Sequence, residues 1–137
     1  MGTVDIENRL MSFFETDHHG ALAVYLFGSR ARKTSGPQSD VDLALLYSEV
    51  PTSQTLDSLP LLLKGDLEEL LGLTVDVVVL NTASPDLCHR VFRDGIVLLD
   101  RDRRFRLRFE VKKRNEYLDF LPVLELYRRY PKASVER

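Results

Sequence analysis

Residues 28–42 read GSRARKTSGPQSDVD, so the pair Gly28-Ser29 stands ten residues ahead of Asp40-Val41-Asp42. The apolar run that follows, Leu43 to Leu46, makes this second stretch a strand, expected over about residues 40–47. On a strand Asp40 and Asp42 share a face about 7 Å apart, while Val41, Leu43 and Leu45 point the other way. Two carboxylates so placed lose hydration and repel each other, which would raise their pKa values or require a compensating cation. Both are oxygen donors with no His or Cys beside them, a set that favours Mg2+, with Mn2+ as the alternative, over zinc. Asp76 is a third acid in an apolar run, LTVDVVVL. If its strand lies beside that of Asp40 and Asp42, three carboxylates meet on one face, which is the protein half of a two-metal phosphoryl-transfer centre.

The corner ahead of the acids supplies the complementary half. A strand ending at Gly28-Ser29 and turning into a short helix leaves backbone N–H groups and a serine hydroxyl aimed at one spot, a site for an anion. Arg30 and Arg32, two apart on a helix, face different ways, and Arg30 is expected to be the one that reaches the ligand. A turn at Gly36-Pro37 then brings Ser39 directly to Asp40.

These residues need a scaffold. Ile6, Leu10, Phe13 and Phe14 recur at helical spacing and predict an amphipathic helix over about 4–17. ALAVYLF, bounded by Gly20 and Gly28, predicts a strand buried on both faces. Residues 52–72 read as a helix, broken near Pro60 or Gly65, and residues 73–80 as a β-branched strand. SPDLCHRVFRDG predicts a helix with Ser84 as cap and Pro85 at its first position, closed by Gly95. IVLLD is a short last strand, and residues from about 102 to 130 should be helical with an interruption at Pro122. Strands and helices alternate, so the fold class is α/β (α+β) with helices covering a sheet.

Composition narrows the function classes. The 137 residues, 44% hydrophobic and 29% charged, suit one domain. Its core is expected over about 20–100, with a helical segment over about 101–130. The net charge of −2 gives no global signal for nucleic acid. The local basic run Arg101 to Arg114 is interleaved with Asp102 and Glu110 and reads as a solvated helix face rather than an RNA contact. Cys88, the single cysteine, rules out an internal disulfide, suits a reducing cytoplasm and reads as a buried hydrophobe. No run reaches the roughly 18 apolar residues of a membrane span. The early acids of MGTVDIENRL do not suit a signal peptide, so the expected location is the cytoplasm. His18, His19 and His89 read as cap or surface residues rather than ligands.

Gly28-Ser29, ten residues, Asp40-Val41-Asp42 and then Asp76 on a later strand resembles the nucleotidyltransferase superfamily that includes DNA polymerase beta. The short length and the wording GSRAR…SDVDLALL resemble its minimal nucleotidyltransferases, the MNT-domain antitoxins paired with HEPN-domain toxins. The resemblance covers roughly residues 20–100 and departs at Lys33, where relatives often carry glycine. It implies a polymerase beta palm-like fold, a mixed sheet with helices packed on one face. It implies two Mg2+ ions held by Asp40, Asp42 and Asp76, and ATP gripped by Gly28 and Ser29, with Arg30 and Ser39 beside them. It also implies transfer of AMP from ATP to a tyrosine of a partner HEPN toxin in a hetero-oligomer, with release of pyrophosphate and loss of the toxin's RNase activity. The alternatives are transfer to a small molecule or an RNA end, and a noncatalytic antitoxin that acts by complex formation. The small size favours a partner protein, because a self-contained pocket for a second small substrate usually needs another domain. Half of the apolar stripe in the C-terminal segment is expected to pack on the sheet, leaving the remainder for a partner helix.

Overall fold

The computed structural model describes residues 3–34, 36 and 39–130. The expected turn at Gly36-Pro37 therefore lies partly outside the described residues. The chain runs α1 (Thr3–Thr16), β1 (Ala23–Phe27), α2 (Gly28–Ala31), β2 (Val41–Leu46) and α3 (Ser53–Leu71). It continues through β3 (Val75–Val79), a 3-10 turn (Leu80–Thr82), α4 (Pro85–Asp94), β4 (Ile96–Asp100) and α5 (Arg103–Arg129). The strands form a four-stranded sheet in the order β3-β2-β1-β4. β1 is antiparallel to both β2 and β4, and β2 is parallel to β3, so the sheet is mixed as expected.

Strand alternation divides the core into two layers. Val24, Leu26, Val41, Leu43 and Leu45 face Ile6, Leu10 and Phe14 of α1 and Leu63, Leu67 and Leu71 of α3. Ala23, Tyr25, Ala44 and Leu46 face Cys88 and Val91 of α4, with Phe105 and Phe109 of α5 packed against them. Helices thus flank both faces of the sheet, not one. The reason lies in β1 and β2, whose alternate residues are apolar on both sides and need cover on both. Each fully buried leucine contributes about 1.5–3 kcal/mol relative to exposure.

Both expected helix breaks are absent: α3 continues through Pro60 and α5 through Pro122. A proline removes one intrahelical bond, and in α3 the row Leu63, Leu67 and Leu71 buried on the sheet outweighs that loss. α4 forms as its signals require, with Ser84 Oγ accepting from the Leu87 N–H at 3.2 Å and Pro85 in the first turn. Cys88 is fully buried, and burial pushes its thiol up to about 11. Among the described residues no helix is long and apolar enough to cross a membrane.

Candidate active site

β1 ends where β2 begins, because the two strands are antiparallel and Phe27 pairs with Asp42. Gly28 therefore lies against the first turn of β2. Its φ of +75° is the left-handed conformation that glycine adopts without penalty, and a Cβ there would stand 2.2 Å from Asp42 Oδ2. The glycine is required twice, once for the turn and once for the carboxylate lying over its Cα.

β3 extends the same end of the sheet. In the parallel pair Val41 stands opposite Val75 and Asp42 opposite Asp76, so these two acids share a face on neighbouring strands. Asp40 just precedes β2 and lines the same cleft as Asp42. Burial first, then the charges of Asp76 and Asp40, hold the Asp42 carboxyl above the usual range, and Arg32 partly offsets them. Among the described residues no three acids, histidines or cysteines close into a ready-made metal cluster. Asp76 instead has Oδ1 3.8 Å from Lys64 Nζ. An adjacent, all-oxygen carboxylate set whose central member is strained toward protonation fits a hard divalent cation, and Asp40, Asp42 and Asp76 are the residues that would hold it.

The cleft, of about 610 Å³, is lined by Gly28, Ser29, Ser39, Asp40 and Asp42, with Phe27, Arg32, Arg90 and Asp94. Ser39 Oγ accepts from the Gly36 N–H at 2.9 Å, which folds the loop back toward the acids. Arg30 stands elsewhere than expected. It is 2% exposed and does not line the cleft; its Nη2 donates to Ser39 O at 2.8 Å and its Nε to the same oxygen at 3.1 Å. Arg30 thus bonds to the Ser39 carbonyl next to Asp40, and of the two arginines it is Arg32 that lines the cleft.

Arg90 and Asp94 escaped the sequence reading because they belong to a helix wall far along the chain. Their signal is the i, i+4 spacing on α4, with Asp94 also 3.9 Å from Arg32. Lys33, the departure from the family wording, takes φ +60°, the left-handed region where a glycine would be unstrained.

A mixed sheet that sets Asp42 against a glycine-serine corner, with Asp76 opposite it on the parallel neighbouring strand and outside the cleft lining, fits a nucleotidyltransferase. The family "Polymerase beta, Nucleotidyltransferase" matches residues 8–104, and the chain belongs to it. A relative from Methanocaldococcus jannaschii, provisionally named a protein adenylyltransferase, is 33% identical over 81 residues, covering 59% of this chain and 83% of that one. Protein adenylyltransferase MntA of Aphanizomenon flos-aquae is 37% identical over 81 residues, 55% of this chain and 54% of that protein. The match thus spans about half the length of MntA. A crystal structure of a toxin–antitoxin with AMP-PNP contains a chain that is 27% identical, with a TM-score of 0.71, covering 96% of this chain and 98% of that one.

Proposed function

We propose that this nucleotidyltransferase is an antitoxin that transfers AMP from ATP to a tyrosine hydroxyl of a HEPN-type toxin. In this reading the chain acts as one nucleotidyltransferase unit and the product suppresses the toxin's RNase activity. The reading is supported by its likeness to protein adenylyltransferases and to a chain of a toxin–antitoxin crystallised with AMP-PNP. The observation that carries it is the pairing of Asp42 with Asp76 across β2 and β3, with Asp42 lining one cleft together with Asp40, Gly28 and Ser29.

The tyrosine oxygen attacks the α-phosphorus, a new P–O bond forms, and the α–β bridging oxygen departs with pyrophosphate. Gly28 and Ser29 hold the triphosphate, and Arg32, at the cleft wall, faces its charge. Asp40, Asp42 and Asp76 would hold Mg2+, which when bound offsets phosphate charge and favours deprotonation of the acceptor hydroxyl. Asp76, half-exposed at the sheet edge, is open to an incoming tyrosine and receives its proton.

The test is incubation with Mg2+ and ATP labelled on the α-phosphate, alone and with a HEPN-domain toxin. Label on a toxin tyrosine that depends on Asp42 supports the reading. Label that goes instead to RNA or a small molecule overturns the acceptor. Toxin neutralised with no label transferred overturns the enzyme.

A further inference from the structure

β3 is an edge strand, and its outer side is held by side chains of α3 rather than by another strand. Lys64 Nζ donates to Val75 O at 2.6 Å and to Glu68 Oε2 at 3.1 Å, and the Val75 N–H donates to the same Glu68 oxygen at 2.9 Å. Hydrogen bonding from the Val75 backbone, then from Lys64, holds the Glu68 carboxyl below its usual range. The backbone N–H and C=O of the residue preceding Asp76 are thus clipped by an i, i+4 pair on one helix. A consequence for the site follows, because the same ammonium lies 3.8 Å from Asp76 Oδ1.

Exposed ion pairs are ordinarily weak, since two long side chains must be ordered to make them. Lys64 differs in that its carbonyl and Glu68 contacts already fix the ammonium, so Asp76 meets a stationary positive charge. We propose that Lys64 is a built-in counter-cation for Asp76, one that competes with the divalent ion Asp76 would help bind. This rests on the reading of Asp76 as a cation ligand. The competition sets a weaker second cation site, one filled together with the nucleotide's phosphates.

The test is Mn2+ binding to the nucleotide-free full chain, read from the electron paramagnetic resonance signal of free Mn2+. Removing the fixed charge with Lys64→Met should tighten Mn2+ binding roughly threefold to tenfold, a modest change because both groups are partly exposed. Lys64→Gln, which keeps a donor for Val75 O, carries the same expectation should the Met variant fold poorly, whereas Lys64→Arg should bind Mn2+ as wild type does. Asp76→Asn should weaken binding. Mn2+ affinity unchanged or lowered in folded Met and Gln variants, with Asp76→Asn weakened as expected, overturns the role of Lys64 alone and leaves the site reading standing. Unchanged binding in Asp76→Asn overturns the assignment of Asp76, and the role of Lys64 with it.

Discussion

Two charged clusters lie on the α4/α5 side of the sheet and are built by opposite rules. Toward β4, Arg106 of α5 donates to Asp100 Oδ2 at 2.8 Å and to Glu110 Oε2 at 2.6 Å, and buried Tyr25 donates to the same Glu110 oxygen at 2.8 Å. Both carboxylates there bond to one shared guanidinium. Toward β3, Asp40, Asp42 and Asp76 stand together, and burial and its neighbours raise the Asp42 carboxyl above its usual range. A folding chain has no use for the second arrangement, whereas the first anchors a helix. Repulsion among crowded carboxylates, rather than charge itself, marks the cleft as the working end of the molecule.

The sharpest way to break this contrast is to neutralise the strained acid. Asp42→Asn keeps the shape and removes one of the mutually repelling charges. AMP transfer should fall by about a thousandfold or more, since the removed group acts on the transferring phosphate. Thermal melts in a chelator should show the variant at least as stable as wild type. A variant that melts well below wild type would mean that the acids support the fold, and the distinction between the clusters would collapse.

Gly28→Ala probes the same corner sterically. The added methyl meets Asp42 Oδ2 at 2.2 Å and is built on a φ of +75°. Stability should fall by about 1–2 kcal/mol from the backbone alone. Transfer should fall about a hundredfold or more as the carboxylate is displaced. Denaturant unfolding and the labelled-ATP assay measure the two effects separately.

At the balanced cluster the signs reverse. Arg106→Ala leaves Asp100 and Glu110 without their shared cation in a place where the guanidinium is only 13% exposed. The expected loss is about 2–3 kcal/mol in denaturant unfolding, with transfer per folded molecule unchanged.

The difference between the clusters also decided what the sequence could reveal. Asp40, Asp42 and Gly28 were legible because acids within apolar runs and a glycine at a strand end are locally anomalous. Adjacency of Asp76 was legible only as a condition, since pairing of β2 with β3 depends on a crossover through α3. The Arg106 cluster was hidden. Within the basic run of α5 only the i, i+4 spacing to Glu110 separates Arg106 from Arg104 and Arg108, and its other partner, Asp100, lies six residues back on β4. Arg30 and Arg32 were reversed for a related reason. Spacing says that they diverge but not which one turns inward, and the carbonyl of Ser39 that captures Arg30 comes from a loop whose path no periodicity specifies. Helices on both faces followed from two-sided apolar strands, whereas the family resemblance pointed to one.

The smallest expected effect sharpens the contrast most finely. Tyr25 is 2% exposed, and its hydroxyl meets Glu110 on an acceptor that Arg106 already occupies. Burial, then the hydrogen bond and charge of Glu110, push its phenol above the usual range, so it stays protonated and donating throughout the physiological range. Tyr25→Phe removes the donor and leaves Glu110 still paired with Arg106, so no bare charge is created. The cost should be about 1 kcal/mol, the net worth of one such bond, and not the larger penalty of an orphaned ion. Denaturant unfolding of Tyr25→Phe, Arg106→Ala and the double variant measures the coupling between them. If Tyr25→Phe alone costs as much as Arg106→Ala, the hydroxyl rather than the guanidinium is what keeps Glu110 tolerable near the sheet, and the cluster is balanced by a neutral donor instead of by opposite charge.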